Sequence, residues 1–318
     1  MKQKTENRKP ITVNLFSVPI SITSKSQALA TVSQWLTESK VKGRQVNRLK
    51  NAKLDNLLTF QPATFLPRII TTPNPEMIVA AQDDPEFLKA LQSADLAIPD
   101  GVGIVWALSL RGAQRRGNLG LQLDRHDRDK LGLAMTSLQR VSGLELMESL
   151  ILEAAVKGWK VMLLGGRPGV AEKVKRHSEA AFGDRRISLG SFAPLRMTTL
   201  SGPTDIDKAT SIQLNNLINS INSFSPDLLF VAFGHGKQEK WLNANRRRLN
   251  AGVAMGVGGA FDQIADPSLR PPAYINSIGL GWLYRLLRQP WRWKRQLALV
   301  RFVGMVVMKA LKHESIKA

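Results

Sequence analysis

From residue 68 to residue 262 the chain alternates short apolar runs with longer amphipathic or polar stretches, the pattern of strands separated by helices. The clearest instance is Ser225–Asp262, where Leu228–Phe233 and Gly252–Val257 are short, apolar and bounded by glycine. Runs of that length and flanking predict buried parallel strands. Between them, KQEKWLNANRRRL has the composition of an exposed helix. Gln238, Glu239 and Asp262 then fall just past the two strand ends. Open α/β sheets bind their ligands there.

The same reading extends along the chain. Ile11–Ile22 alternates apolar and polar residues and predicts one or two short strands, and Ser24–Leu36 a helix capped by Ser24 or Ser26. Residues 40–66 are basic, polar and aperiodic, and read as a loop or insertion. Arg68–Thr72 predicts a strand. Pro75 and Glu76 open a helix, and Asp83 or Asp84 caps another at Pro85–Ser93. Leu96–Ile98 is a brief strand before the helix Val102–Leu110. Residues 111–138, dense in charge and glycine, read as a second insertion. Beyond it come a helix at Leu144–Lys157, a strand at Lys160–Leu164 and a helix at Val170–Phe182. Ile187–Leu189 suggests a further strand, Ser191–Thr210 a loop, and Ile212–Phe224 a helix. The sum is an α/β fold with a mostly parallel, doubly wound sheet.

At Trp282 the chain changes character, so a core over residues 1–281 and an appendage over 282–318 are expected. Arg285, Arg288, Arg292 and Arg295 are three or four apart and would share one face of a helix, with Pro290 kinking or interrupting it. Composition sharpens the picture. The 318 residues carry a net charge of +20, which favours anionic partners such as nucleic acid, nucleotide-sugars or lipid headgroups. There is no cysteine, which excludes disulfides, thiolate catalysis and cysteine zinc sites. Neither a signal peptide nor a transmembrane run is evident, so a cytoplasmic protein is expected. For the terminal segment a solvated face, a nucleic-acid contact and a membrane anchor all stand. Its interleaved tryptophans and arginines favour the last, and no nucleic-acid-binding motif supports a specific nucleic-acid partner.

Several groups could carry chemistry. Gly165 and Gly166 begin a GGRPG turn between a strand and a helix, either a phosphate cradle or a structural turn. Gly258 and Gly259 form a similar turn, followed by Asp262, which could bind a ribose or cap a helix. Asp100, directly before Gly101, could serve as a general base or as an N-cap. Thr72 and Asn74 offer neutral hydrogen bonds to a polar ligand, or simple turn chemistry. The Asp-x-Asp pairs at 127/129 and 205/207 lie in polar loops and follow no apolar strand, so no metal site is expected.

Six blocks in order, TPNPEMIVAAQDDPEFLKALQSADLAIPDGVGIVWA, RVSGLEL, LLGGRPGVAEK, FVAFGHGKQEKW, GVGGAFD and GWLYRLLRQPWRWKR, resemble the WecG/TagA/CpsF glycosyltransferases, or glycosyltransferase family 26. The resemblance implies a Rossmann-like core of GT-E type with helices on both faces and a basic helical C-terminal appendage. It implies inverting, metal-independent transfer from a UDP-sugar, of the N-acetylmannosamine type, to a polyprenyl-diphosphate-linked saccharide acceptor. No cofactor is implied. By the same resemblance Asp100 is the catalytic base. Thr72, Asn74, Arg140 and Gln238 accompany it, and Arg285, Arg292 and Arg295 approach the donor diphosphate. Gly101, Gly165, Gly166, Glu239, Gly258, Gly259 and Asp262 line the substrate pocket. Peripheral attachment to the inner face of the plasma membrane and a possible homo-oligomer are also implied. The family turn FG-x-P-KQE reads FGHGKQE here, with Gly236 at the proline position. Two rivals remain: another Rossmann-like nucleotide enzyme, such as an NAD-dependent oxidoreductase, and a noncatalytic basic module for lipid or nucleic acid.

Overall fold

The computed structural model describes residues 10–52, 66–114, 141–189, 196–200, 202, 206–277, 280–290 and 293–314. The chain opens with an antiparallel hairpin, β1 (Ile11–Leu15) and β2 (Val18–Ile22), followed by α1 (Lys25–Ala52). Ser24 caps α1, its hydroxyl accepting from the Gln27 amide at 3.2 Å while Gln27 Oε1 accepts from the Ser24 amide at 2.9 Å. Then come β3 (Arg68–Thr71), α2 (Pro75–Asp83), α3 (Pro85–Gln92), β4 (Leu96–Ala97) and α4 (Val102–Gln114). After these follow α5 (Gly143–Lys157), β5 (Lys160–Gly165), α6 (Val170–Leu189), β6 (Arg196–Leu200) and α7 (Ser211–Phe224). The series ends with β7 (Leu228–Ala232), α8 (Lys237–Asn245), β8 (Val253–Gly256), α9 (Ala260–Ala265), α10 (Ala273–Ser277), α11 (Gly281–Arg288) and α12 (Trp293–Glu314).

Strands β3 to β8 form one parallel sheet in the order β4-β3-β8-β7-β5-β6. The sheet is Rossmann-like, and its faces follow from the two-residue period of a strand. Leu228 and Phe230 of β7, Val161 and Leu163 of β5 and Val253 and Met255 of β8 point to one side. There they pack against α1, α5, α6 and α9. The alternate residues Leu229, Val231, Met162, Leu164 and Ala254 meet α7 and α8 on the other side. Both faces are covered, so these strands read as continuous apolar runs. A further core joins the hairpin to α2, α3, α4 and α12, with Phe302 and Val306 of α12 buried in it. Among the described residues no helix is long and apolar enough to cross a membrane.

Several expectations are corrected. The stretch read as a loop from residue 40 is helical as far as Ala52, because VKGRQVNRLKNA is rich in good helix formers and has no proline. In the same way α4 runs on to Gln114, while residues 53–65 and 115–140 lie outside the described residues. Ile187–Leu189 is the last turn of α6, not a strand. The sixth strand is instead Arg196–Leu200, inside the segment read as loop. It is an edge strand, paired on one side only, so its RMTTL sequence lacks the apolar run of a central strand. The helix between β7 and β8 is not simply exposed: Gln238, Glu239, Trp241, Leu242 and Asn245 are buried. Finally, α11 stops at Arg288 and α12 starts at Trp293, so the helix is interrupted around Pro290, as one of the two readings had it, and Arg285 and Arg288 stand on a different helix from Arg295.

Candidate active site

The carboxyl ends of β3, β4, β5, β7 and β8 open into one cleft of about 1510 Å³. Sequence order within the sheet explains the convergence. Parallel strands all deliver their following loops to the same edge, and neighbours β4-β3-β8-β7-β5 bring five loops side by side. Thr72, Asn74, Asp100, Gly101, Gly165, Gly166, Gln238, Gly258, Gly259, Asp262 and Arg285 all line this cleft. Residues chosen from six separate segments of the chain are thus gathered in one place.

Asp100 follows β4, and its amide donates to the Pro73 carbonyl at 2.9 Å. That bond ties the β4 end to the β3 end, so Asp100 stands beside Thr72 and Asn74. Gly101 next to it has φ of 95°, a backbone setting that a side chain would strain. The Asn74 side-chain oxygen caps α2, accepting from the Met77 amide at 2.9 Å. The turn-chemistry reading of Asn74 therefore accounts for its oxygen, while its amide nitrogen takes no part in the cap. Ser142 and Gly143, at the head of α5, come in from the side. A Cβ on Gly143 would stand 3.1 Å from Thr72 Oγ1.

Behind the cleft floor lies a short polar relay. Glu239 is 2% exposed, and its carboxylate accepts from the Gly236 amide at 2.7 Å and from Gln238 Nε2 at 2.8 Å. Gln238 Oε1 in turn accepts from the Gly258 amide at 3.1 Å. Burial pushes the Glu239 carboxyl up to about 7, against the lowering effect of the Gln238 and Gly236 hydrogen bonds. Gly256 makes room for this pair, since a Cβ there would stand 2.7 Å from Gln238 Nε2 and 2.9 Å from Glu239 Oε1. Glu239 does not itself line the cleft. It holds Gln238, and Gln238 holds the glycine loop. The Gly236 backbone at φ 82° and its amide bond to Glu239 are both closed to proline, so this turn has its own shape.

The glycine-rich turn after β5, residues 165–169, lines the cleft. The Gly166 amide donates to the Ala232 carbonyl at 3.0 Å and so is not offered to a ligand phosphate. Arg167 of the same turn reaches Asp262 Oδ1 at 2.9 and 3.3 Å, bridging two rims of the cleft. From α11, Arg285 enters the cleft, with Nη2 3.2 Å from where a Cβ on Gly259 would stand. Arg288 instead lies over the Tyr284 ring at 5.5 Å. Arg140 and Arg292 lie outside the described residues, as does the side chain of Arg295. Of the Asp-x-Asp pairs, 127/129 and Asp205 lie outside them too, and Asp207 pairs with Lys237 at 2.9 Å.

Sequence reasoning named none of the apolar side chains that complete the cleft lining. Leu299, Val300, Phe302 and Val303 of α12 face Val102 and Trp106 of α4 across the cleft mouth. The signal available was the apolar, basic-flanked stretch after Trp293, for which a solvated face, a nucleic-acid contact and a membrane anchor all stood.

The cleft therefore combines a carboxylate at a strand end, amide and hydroxyl groups beside it, a glycine loop and an arginine brought by a C-terminal helix. The family model described as "Glycosyl transferase WecG/TagA/CpsF family" matches residues 40–120 and 131–316. The chain is 27% identical over 246 residues to an N-acetylglucosaminyldiphosphoundecaprenol N-acetyl-beta-D-mannosaminyltransferase of Bacillus subtilis (strain 168), covering 77% of this chain and 81% of the relative. It is likewise 27% identical over 282 residues to the protein of the same name from Bacillus spizizenii, covering 86% of this chain and 93% of that relative. With the model matched over most of its length, the chain belongs to the WecG/TagA/CpsF glycosyl transferase family.

Proposed function

We propose that this protein transfers an N-acetylmannosaminyl group from a UDP-sugar to a polyprenyl-diphosphate-linked N-acetylglucosamine, with inversion and without a metal ion. The observation that carries the reading is Asp100 in the cleft lining, tied through Pro73 to the strand end that bears Thr72 and Asn74, with Gln238, Gly258 and Arg285 lining the same cleft. The names of the two Bacillus relatives supply the sugar and the acceptor.

In this reading the acceptor hydroxyl attacks the anomeric carbon of the donor. The new glycosidic C–O bond forms as the bond to UDP breaks on the opposite face, which inverts the centre. Asp100 takes the hydroxyl proton, and the bonding pair leaves with UDP. The developing charge on the diphosphate is met by Arg285. Thr72 and Asn74 orient the reacting hydroxyl, and Gln238 fixes the Gly258 loop against the nucleotide. The apolar wall from α12 keeps water from hydrolysing the donor. The acceptor is membrane-borne, so the protein works at the inner face of the plasma membrane, with its basic C-terminal segment on the anionic surface.

The test is UDP release from a panel of UDP-sugars in EDTA, with a short-chain polyprenyl-diphosphate-N-acetylglucosamine acceptor. Wild type and Asp100→Asn are run together. Acceptor-dependent turnover that survives EDTA and falls by about 100-fold or more in the variant is expected. Absence of turnover with every donor, together with failure to bind UDP, would refute the transferase reading.

A further inference from the structure

Helices α4 and α12 form a groove whose chemistry the polar half of the cleft does not explain. Two residues after Asp100, Val102 begins α4. Trp106 lies one turn further on the same face, and both side chains are exposed. Opposite them, Leu299, Val300 and Val303 complete the lining. The helices are in close contact at the base, where a Cβ on Gly103 would stand 3.7 Å from the Phe302 ring. Phe302 and Val306 anchor α12 in the core, so the groove has a fixed floor.

Val300 and Val303 belong to two surfaces at once. They line the cleft, and they also begin an outward apolar stripe that continues through Val307, Met308 and Leu311 at helical spacing. Val300 is 72% exposed, Met308 62% and Leu311 57%. A contiguous apolar track thus runs from beside Asp100 out to the protein surface. A sugar or nucleotide would gain nothing from that track. An uninterrupted hydrocarbon chain attached to the diphosphate of the acceptor would gain at each step.

We infer that the groove between α4 and α12 binds the first isoprene units of the acceptor's polyprenyl chain. The inference rests on the proposed transferase reading for the identity of the acceptor. The chain leaves the cleft between Trp106 and Val303 and passes over Val300 towards the outer stripe. Lipid recognition is then part of the site and is distinct from adhesion of the C-terminal segment to a membrane.

The test measures direct binding of geranyl, farnesyl and geranylgeranyl diphosphate by calorimetry on the full chain, below their aggregation concentrations. Each added isoprene unit should tighten wild-type binding by about tenfold, the direction expected as hydrocarbon leaves water for a half-open groove. In Trp106→Ser/Val303→Ser this gain per unit should vanish, while Trp106→Phe keeps it. Both positions are exposed, and circular dichroism and UDP binding check that the double variant is folded. Wild-type affinity that is flat with chain length would overturn the groove, as would full retention of the gain in the double variant. Concentration-dependent dimerisation abolished by Val303→Ser would assign the groove to a second copy and also overturn it. Turnover on a short-chain polyprenyl-diphosphate-N-acetylglucosamine acceptor, assayed with the same protein preparations, separates the two readings. A length-dependent gain in prenyl diphosphate binding without any transfer to that acceptor supports the groove and removes the transferase.

Discussion

Replacing Glu239 by glutamine isolates one buried charge whose effect on stability has a definite sign. The carboxyl is buried, and its ordinary value of 4.5 is raised to about 7 by desolvation. Between those two values the folded protein holds a proton that the unfolded chain has released. Stability from this group is therefore fully present below pH 4.5 and is lost as the pH rises through about 7. The slope is about 1.4 kcal/mol per pH unit, and the whole change is about 3 kcal/mol. Glutamine cannot ionise, so Glu239→Gln removes that slope. It also sets a donor against one of the two existing donors, Gly236 N–H or Gln238 Nε2, at a cost of about 1–3 kcal/mol at every pH. The variant should be clearly less stable than wild type at pH 5 and should draw level by pH 8. Asp83, Asp84 and Asp266 are shifted the other way, by hydrogen bonds that favour their charged forms. Their stabilisation is lost only on acidification below the ordinary carboxylate range, and it cancels in the difference between the two proteins. Urea unfolding at half-unit steps from pH 4.5 to 8.5 reads the difference directly. Parallel curves for variant and wild type would refute the account of Glu239 as a group held neutral by burial.

Other outcomes follow from the same geometry. Arg285→Ala should lower kcat by about 10- to 1,000-fold with little change in stability, as measured by steady-state kinetics beside thermal unfolding, because in the proposed reaction the guanidinium meets charge that develops only in the transition state. Gly256→Ala should destabilise by about 1–3 kcal/mol in urea titration and loosen UDP binding, since the new methyl collides with Gln238 and Glu239. Phe302→Ala should cost about 3–5 kcal/mol and expose α12 to limited proteolysis. Arg301→Ala, which breaks only the exposed bidentate pair with Asp83, should leave the proteolysis pattern of wild type.

Much of the sheet was legible because its central strands are buried on both faces. Leu228–Ala232 and Val253–Gly256 had to be apolar throughout, and Asp84 stands at the head of α3 as its side-chain cap. The edge strand Arg196–Leu200 had no such constraint and read as loop. Periodicity also failed at the first helix, where apolar residues are sparse beyond residue 40, so only propensity marked it as helix. At the site, residues adjacent to strand ends were readable from local sequence. What local sequence could not give was the difference between touching the cleft and supporting it. Gln238 and Glu239 are neighbours in the chain, yet one faces the cavity and the other lies behind it. The α12 wall depended on a long-range contact, Phe302 against α2 and the hairpin, which no local window contains.

That contact also bears on the order in which the protein assembles. The Phe16 and Phe302 rings meet edge to face at 6.3 Å, and Lys309 lies 5.1 Å from the Phe16 ring. The first hairpin and the last helix thus complete one core between them. Closing so large a loop is entropically slow, whereas β7, α8 and β8 can form from neighbouring segments. A refolding chain should therefore build the parallel sheet, and with it the Asp100 edge, before the α12 wall docks. In stopped-flow refolding, far-ultraviolet signal would return ahead of the capacity to bind a prenyl diphosphate, and the lag between them would time the docking of this helix.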